Sequence, residues 1–338
     1  MSATTREIRL AARPHGDPTA ADFELAETPL PEPGPGQVLI RNSYLSVDPY
    51  MRGRMRDAKS YIPPFPVGEV MEGGAVGEVI ASDGGPFEVG DWVQHMGGWR
   101  EHALNDGTLA YRVDPSVAPV STALGVLGMP GLTAYAGLTE IAPVKEGETV
   151  YVSAAAGAVG SAAGQIARLR GCRVVGSAGS AEKVEWLTGE LGFDAAFDYH
   201  GADLPATLRE HCPQGIDVYF DNVGGDQLDA ALARMRVHGR IALCGRIASY
   251  NDEQLTPGPA NFAATLPRRL TLRGFIVFDH GHLMKEFLAE VGGWVRSGEL
   301  RYRETVLDGI ERMPEAFIGL LAGENIGKML VRVGPDPA

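Results

Sequence analysis

Three small residues, Ala155, Gly157 and Gly160, stand at the spacing of a G-x-G-x-x-G turn, with alanine at the first position. A strand pattern precedes them, and a helical pattern and a second strand pattern follow. Small residues at this spacing let a pyrophosphate approach the backbone closely, while the first amides of the helix point at its charge. The turn therefore predicts a dinucleotide site. A tight structural connection is the alternative, and the strand–helix–strand context disfavours it.

The choice of dinucleotide depends on the end of the second strand, about twenty residues past the turn, where an acidic residue would bind the 2'-hydroxyl of NAD. No carboxylate stands there, because the strand ends in GSAGS at residues 176–180 and Lys183 follows. Hydroxyl groups and a cation suit the 2'-phosphate of NADP. We therefore predict that Ser180 and Lys183 contact NADP(H). The alternative is that Ser180 only caps the next helix and that Lys183 is a solvated surface lysine.

An alternating α/β region that begins at Thr149 must position these residues. Strand patterns separated by helical patterns are typical of a doubly wound parallel sheet. The strands predicted for this sheet are residues 150–152, 172–176, 195–198, 217–222, 240–244 and 272–277.

The chain before this region has a different pattern. Prolines and glycines separate short β-type runs such as residues 37–43 and 75–81, which predicts a compact, mostly β unit. A helical stretch over residues 124–135 leads into the α/β region, and the tail segments 302–306 and 328–333 are predicted to return to the first unit. We expect two domains, which are residues 1–124 completed by 299–338 and residues 125–298.

Composition excludes several classes of partner. The 338 residues are 44% hydrophobic, enough for two domains, and carry a formal net charge of −13. This net negative charge would repel polyanions such as nucleic acids and anionic membranes. Because no run of eighteen apolar residues exists and the N-terminus lacks the apolar core of a signal peptide, we expect a cytoplasmic protein without a membrane segment.

The metal-binding residue types are sparse. The three cysteines are too scattered for a disulfide framework, and the eight histidines form no H-x-x-x-H pair or Cys-rich cluster. A tetrahedral zinc site therefore has no obvious set of ligands, and we predict none.

Several long motifs in order carry a resemblance to a known family. They are YLSVDPYMRGRM (44–55), LGMPGLTAY (127–135), AAAGAVGSAAGQIA (154–167), FDNVGG (220–225), GRIALCGRIASYN (239–251), GFIVFDH (274–280) and NIGKMLVRV (325–333). Through them nearly the whole chain resembles the zinc-independent branch of the medium-chain dehydrogenase/reductase superfamily, in its prostaglandin reductase and leukotriene B4 dehydrogenase-like family with the bacterial curcumin reductases. The resemblance implies a Rossmann doubly wound domain with a mostly β GroES-like domain, and a homodimer by analogy.

A departure from the zinc-dependent relatives bears on the chemistry. Where they carry a Gly-His-Glu segment with a metal ligand, this chain has Gly68, Glu69 and Val70. Alcohol oxidation without a Lewis acid loses its usual means of stabilising an alkoxide, whereas reduction of an activated double bond does not need one.

The resemblance also implies a set of NADP contacts. Added to the turn residues and to Ser180, they give the predicted cofactor site: Gly157, Ala158, Val159, Gly160, Ser161, Ser180, Lys183, Tyr199, Asn222, Cys244, Gly245, Ile247, Ser249, Tyr250, Phe275, Ile276, Val277 and Asn325. Alternatives remain, because Asn222 and Asn325 suit plain turns and Phe275–Val277 suits a core strand. Residues 198–200, Asp-Tyr-His, also depart from the family's common Asn-Tyr-Lys and place an acid beside the expected phosphate.

The reaction implied is NADPH-dependent reduction of the carbon–carbon double bond of α,β-unsaturated ketones or aldehydes, with hydride added to the β-carbon. An enolate then needs a hydrogen-bond donor, and Tyr250 is the best side-chain candidate. A cofactor ribose hydroxyl held by Tyr250, or solvent, is the alternative, and Tyr250 also suits a surface turn. The resemblance also implies substrate contacts at Tyr50, Met129 and Thr133, and ordinary packing is the alternative for Tyr50 and Met129.

Two other functions stay open at this point. A quinone reductase would use the same fold and cofactor, and a non-catalytic NADP-binding protein would keep the site without turnover. The sequence names no particular enone or enal substrate.

Overall fold

The computed structural model describes residues 3–254 and 257–337. They form two compact units, Met1–Leu124 with Glu304–Ala338, and Gly125–Arg303.

The strands in chain order are β1 (Thr4–Leu10), β2 (Phe23–Pro29), β3 (Gln37–Ser46), β4 (Ala75–Asp83), β5 (Trp92–His95), β6 (His102–Asn105), β7 (Tyr111–Val113), β8 (Thr149–Val152), β9 (Arg173–Ala178), β10 (Ala195–Asp198), β11 (Ile216–Asp221), β12 (Met235–Leu243), β13 (Thr271–Gly274), β14 (Glu304–Asp308) and β15 (Lys328–Arg332). The α-helices are α1 (Met51–Arg54), α2 (Met129–Ala136), α3 (Ala158–Leu169), α4 (Ala181–Glu185), α5 (Leu204–His211), α6 (Gly225–Arg234), α7 (Thr265–Arg268), α8 (Met284–Ser297) and α9 (Met313–Leu321).

Short 3₁₀ segments cover Ala20–Asp22, Val120–Leu124, Ile247–Ser249, Ala260–Ala264, Val277–Leu283 and Ile310–Arg312. Single π-helical turns cover Gly137–Ile141 and Trp186–Glu190.

The first unit is mostly β, as predicted. Its larger sheet has the order β14-β15-β3-β4-β5-β7, with β6 paired to β3, while β1 and β2 form a separate antiparallel pair. The tail returns to this unit because β15 pairs antiparallel with β3 and parallel with β14. An aromatic group at the centre of the core, Phe23, Trp99 and Phe317, has ring centroids 5.8–6.1 Å apart.

A buried lysine helps to hold the tail strand in place. The Lys328 ammonium donates to the carbonyls of Val47 at 2.6 Å and Met329 at 2.9 Å, and lies 3.2 Å from the Asp48 carboxylate. Burial lowers the pKa of Lys328, since the charged form loses water. The carboxylate and the two carbonyls replace that water, so the charge is paired rather than isolated.

The second unit has a six-stranded sheet of order β10-β9-β8-β11-β12-β13, and every paired neighbour in it is parallel. This is the doubly wound arrangement that the alternating pattern predicted. The strand order reverses between β8 and β11, and open sheets of this kind bind ligands outside the carboxyl ends of their strands at that switch point. The stacked rings of Tyr151 and Tyr219, 4.9 Å apart, lie in the core on these two central strands.

Two predicted boundaries are wrong. The helical stretch expected over residues 124–135 is divided, because α2 begins only at Met129, after Gly128. Pro130 lies in the first turn, where the backbone N–H that proline lacks would have no partner within the helix. The strand expected over residues 272–277 ends at Gly274, because its partner β12 ends at Leu243, the residue paired with Gly274.

No helix in the described residues is long and apolar enough to cross a membrane. The longest, α8, has 14 residues, against the roughly 20 that a bilayer requires.

Candidate active site

The glycine turn lies where β8 joins α3. Ala154 adopts a left-handed conformation with φ of 47°, which turns the chain after the strand. Gly157 is the N-cap residue of α3 and offers no side chain to cap the helix. The predicted contacts Ala158, Val159 and Gly160 form the first turn, whose amides lack partners within the helix. An anion such as a pyrophosphate satisfies such amides.

Gly160 is held against the turn by close packing. A Cβ atom at this position would lie 2.3 Å from the Ala154 carbonyl oxygen and 2.8 Å from the Ala155 Cα atom. Both are backbone atoms, so no side-chain rotation would relieve the clash. The last glycine of the motif therefore permits close helix–strand packing, as a dinucleotide turn requires.

Ser161 completes the predicted first group. Its side chain is buried, and its hydroxyl lies 3.5 Å from the Ala158 carbonyl oxygen within the same helical turn.

The residues predicted for the 2'-phosphate meet at the ends of β9 and β10. Ser180 is the N-cap residue of α4, and its hydroxyl accepts a hydrogen bond from the Lys183 amide at 3.3 Å. Lys183 is half-buried, and this burial lowers the pKa of its ammonium. Tyr199 follows β10 directly, and its ring would be 3.3 Å from a Cβ atom on Gly179. A small residue at position 179 therefore lets the tyrosine come close.

The acid that departs from the family pattern has a partner inside its own loop. Asp198 Oδ1 accepts a hydrogen bond from the His200 amide at 2.9 Å and lies 3.2 Å from His200 Nδ1. The His200 ring also packs on Tyr199, with 4.2 Å between ring centroids. The carboxylate is thereby tied to the histidine.

A second group of predicted residues gathers at the ends of β11 and β12. The Asn222 side chain donates to the Ser153 carbonyl at 2.8 Å, which ties the end of β11 to the turn after β8. Cys244 and Gly245 both donate their amides to the Asp221 carbonyl. The Gly245 backbone lies so close to Asn222 that a Cβ atom at position 245 would be 3.0 Å from the Asn222 carbonyl oxygen.

Tyr250 follows the short 3₁₀ segment that contains Ile247 and Ser249. A Cβ atom added to Gly245 would be 3.5 Å from the Tyr250 hydroxyl oxygen. The hydroxyl therefore lies beside the ends of β11 and β12. Tyr250 is half-buried rather than a solvated turn residue, and burial raises the pKa of its hydroxyl. Its hydroxyl therefore stays protonated at neutral pH and remains a hydrogen-bond donor.

Asp221 organises this edge of the sheet and was not among the predicted site residues. Its Oδ1 atom accepts from the Tyr219 hydroxyl at 2.7 Å and from the amides of Val223 and Gly224 at 3.0 and 2.8 Å. Its Oδ2 atom is buried without a hydrogen-bond partner in the described residues. Burial raises the pKa of this carboxyl, although the hydrogen bonds oppose that shift. The FDNVGG motif contains Asp221, but the motif alone does not reveal this network.

Phe275, Ile276 and Val277 are not part of a strand, which corrects the expectation of a core strand to Val277. All three are half-buried. Phe275 and Ile276 follow β13, and Val277 begins the next 3₁₀ segment. The Phe275 ring makes edge contacts with Phe220 and His280, at centroid distances of 6.4 and 5.9 Å.

The remaining predicted residues are divided between the two units. Met129 and Thr133 are in the second unit on α2, where the Thr133 hydroxyl donates to the Met129 carbonyl at 2.8 Å. Tyr50 is in the first unit, with a buried hydroxyl that has no hydrogen-bond partner in the described residues. Asn325, also in the first unit, is buried and donates to the Gly327 carbonyl at 2.7 Å, as a turn residue does.

One further cluster was missed. The sequence has no H-x-x-x-H pair, as stated above, but the fold places Glu140 in hydrogen-bond contact with His280 and His282. The His-x-His spacing was visible in the sequence, but no local pattern could supply a carboxylate 140 residues away.

The glycine turn and the strand order define an α/β oxidoreductase architecture built to bind a dinucleotide. Family models agree: residues 6–113 match the N-terminal domain of oxidoreductase, and residues 158–292 match the zinc-binding dehydrogenase model. In the first unit, however, Gly68–Glu69–Val70 contains no imidazole ligand.

Relatives match over almost the full length. The chain is 47% identical to the NADPH-dependent curcumin reductase of Escherichia coli (strain K12), over 97% of this chain and 96% of that protein. It is 45% identical to the 2-alkenal reductase (NADP(+)-dependent) of Nicotiana tabacum, over 95% of each. Prostaglandin reductase 1 of Bos taurus is 46% identical, over 94% of this chain and 95% of that protein.

A solved structure agrees with them. The crystal structure of CurA from Vibrio vulnificus in complex with NADPH superposes with a TM-score of 0.93 at 47% identity, covering 98% of this chain and 99% of that one. The chain therefore belongs to the zinc-independent medium-chain dehydrogenase/reductase family of curcumin, alkenal and prostaglandin reductases, which confirms the family predicted from its motifs.

Proposed function

We propose that the protein catalyses the NADPH-dependent reduction of the carbon–carbon double bond of α,β-unsaturated ketones and aldehydes. The observation that carries this proposal is the full-length likeness to reductases named for curcumin and for 2-alkenals. Both names describe enones or enals and both specify NADP(H). The cofactor residues and the hydrogen-bond donor of the candidate site are consistent with that reaction.

The residues present fit the cofactor. The uncapped first turn of α3 and the close approach at Gly160 suit a pyrophosphate. Ser180, Lys183 and Tyr199 form the group that would hold the adenosine 2'-phosphate. When bound, NADPH supplies the hydride that adds to the β-carbon of the substrate.

The contribution of the chain to the chemical step is a hydrogen-bond donor. As the β-carbon is reduced, negative charge develops on the substrate oxygen, and a preorganised donor stabilises it by a few kcal/mol. Tyr250 fills this role because its hydroxyl is half-buried and stays protonated. Six of the predicted residues would line the nicotinamide end of the cofactor site: Asn222, Cys244, Gly245, Phe275, Ile276 and Val277.

Four further contacts are proposed from the family resemblance. Tyr50, Met129 and Thr133 would contact the substrate, and Asn325 would contact the cofactor. The Tyr50 hydroxyl is buried without a hydrogen-bond partner among residues 3–254 and 257–337, which favours its role, because such a donor gains energy from any acceptor that reaches it.

Lys183→Ala tests the choice of cofactor. Loss of a charge-assisted hydrogen bond to phosphate costs about 1.5–3 kcal/mol, so the preference for NADPH over NADH, measured as the ratio of kcat/KM values, should fall about 10- to 150-fold. Lys285→Ala, an exposed lysine on α8, is the matched control and should leave the preference unchanged. An unchanged preference in Lys183→Ala would show that the 2'-phosphate binds elsewhere.

A panel of enones, enals and quinones, monitored by the loss of NADPH absorbance, tests the function itself. We expect enones and enals to be consumed with much higher kcat/KM than quinones. Turnover of quinones alone would favour a quinone reductase, and no turnover at all would leave a non-catalytic NADP-binding protein.

We further propose a homodimer in the cytoplasm. In the described residues, β13 is paired on one side only, and such an edge offers hydrogen-bonding groups to a second copy. The three free cysteines suit a reducing compartment. Sedimentation equilibrium should give twice the mass of the chain, and cell fractionation should place the protein in the cytoplasm.

A further inference from the structure

Three metal-ligating side chains converge in the second unit, away from the glycine turn in sequence. Glu140 Oε2 lies 2.7 Å from His280 Nδ1, and Glu140 Oε1 lies 2.8 Å from His282 Nε2. Candidate ligand atoms of all three residues lie within 4.8 Å of one another. This is the one such trio of histidine, cysteine or acidic groups found in residues 3–254 and 257–337.

The fold brings these groups together from two distant segments. Glu140 lies in the π-helical turn Gly137–Ile141, which continues α2. His280 and His282 belong to the segment Val277–Leu283, whose helical path is interrupted at His280, with φ of −112° and ψ of 19°. That interruption lets two residues only two positions apart face the same carboxylate.

The three side chains differ in burial in a way that suits a binding site. His280 is buried, with 8% of its side chain exposed, whereas His282 is 59% exposed. Glu140 lies between them at 35%. The cluster therefore has a buried inner ligand, a carboxylate within reach of both rings, and an outer ligand that is open to solvent.

The donor set is chemically specific. Two imidazoles and one carboxylate are the protein ligands of a common three-ligand zinc site, which keeps a fourth position for water. Imidazole nitrogen favours zinc, copper, nickel and cobalt over magnesium or calcium, which prefer oxygen ligands.

We propose that Glu140, His280 and His282 bind a divalent transition-metal ion, with zinc as the best match. The ion would replace the two hydrogen bonds within the cluster, with Nδ1 of His280 and Nε2 of His282 as the nitrogen ligands. Tetrahedral zinc needs ligand atoms about 3.4 Å apart. The 2.7 and 2.8 Å contacts would therefore lengthen on metal binding, and the exposed His282 ring has the room to shift.

A simpler role for the cluster makes a different prediction. In that role Glu140 only ties Val277–Leu283 to the end of α2 through two hydrogen bonds. A clamp of that kind is complete without an ion, and removing His282 would then change no metal affinity. Metal binding and clamping are therefore separable by measurement.

This site is independent of the proposed enone reduction. Its ligands are none of the residues assigned to the cofactor or the substrate, although His280 packs edge-on against Phe275. Binding of the metal alone is measured, so the test is decided whether or not the protein reduces enones.

The experiment uses the full chain, freed of any histidine tag and treated with a chelator that is then removed. Titration with Co²⁺ followed by absorbance, and with Zn²⁺ followed by calorimetry, should give one site per chain. Loss of an outer-sphere partner alone costs about 10- to 100-fold in metal affinity. We therefore expect His282→Ala, which removes a ligand, to lower the affinity by at least about 100-fold.

Two more variants keep the test decisive. Glu140→Gln preserves side-chain shape but removes the charge, and it should weaken binding as His282→Ala does. His238→Asn is the control, because His238 is exposed, lies outside the cluster and has φ of 65°, which asparagine tolerates. Zinc should raise the thermal unfolding midpoint of the wild type and this control, but not of His282→Ala. No saturable binding to the wild type, or equal affinity in His282→Ala, would overturn the proposal.

Discussion

Tyr250→Phe is expected to lower kcat for enone reduction by about 100-fold, because a donor aimed at a developing oxyanion contributes about 10²- to 10³-fold in comparable sites. The substitution removes the hydroxyl, which lies beside Gly245, and leaves the half-buried ring. Cofactor affinity should change much less than kcat. Steady-state kinetics with a saturating enone, together with a separate NADPH titration, measures both quantities.

The pH dependence adds a second readout for Tyr250. Since burial raises the pKa of the hydroxyl above its usual value near 10, the donor form persists throughout the range from pH 6 to 9. The wild-type kcat should therefore show no decline in this range from ionisation of Tyr250. Tyr111→Phe, which removes a hydroxyl in the first unit that donates to the Ala123 carbonyl at 3.4 Å, is the control. An unchanged kcat in Tyr250→Phe would leave solvent or the ribose hydroxyl as the donor.

Gly160→Ala is the second substitution with a large expected effect. The added methyl group would meet the Ala154 carbonyl oxygen at 2.3 Å, so α3 must move away from the turn. Overpacking of this kind costs about 1–3 kcal/mol of stability. A shift of about 1 Å in binding groups can cost about 100-fold in function, and we expect the Kd for NADPH to rise at least about tenfold.

The control for Gly160→Ala is another helical glycine with open space around it. Nothing lies within 4 Å of a Cβ atom at Gly293 in α8, so Gly293→Ala should stabilise the protein by about 0.5–1 kcal/mol through helix propensity. Urea unfolding measures the free energy in both variants, and quenching of protein fluorescence measures the Kd for NADPH. Equal stability and affinity in Gly160→Ala and wild type would contradict the close packing at this turn.

The features that the sequence predicted well are those that depend on local residue patterns. Gly157 and Gly160 identify the turn because a dinucleotide imposes its spacing, and alternation of strands and helices identifies the parallel sheet. Ser180 shows how two predictions can both apply: it caps α4, as the alternative expected, and it stands beside Lys183, as a phosphate site requires. The motifs also identified the family, which the full-length relatives confirm.

The features that sequence did not predict depend on contacts between distant segments. The end of β13 at Gly274 is set by the end of its partner β12, and no property of residues 275–277 reveals it. The network around Asp221 joins β11, the loop after it and the Ser153 hydroxyl, which lies after β8 and 68 positions earlier in the chain. Glu140 and His280 are separated by 140 positions, so only the packing of Val277–Leu283 against the end of α2 brings them together.

The central claim is that the reducing hydrogen goes to the β-carbon of an enone. The most direct measurement uses an α,β-unsaturated ketone and NADPH that carries deuterium at the transferable position, with the product identified by NMR. We expect a saturated ketone with deuterium on the β-carbon and a solvent proton on the α-carbon. An allylic alcohol with deuterium on the former carbonyl carbon, or no consumption of NADPH with any enone, would contradict the account.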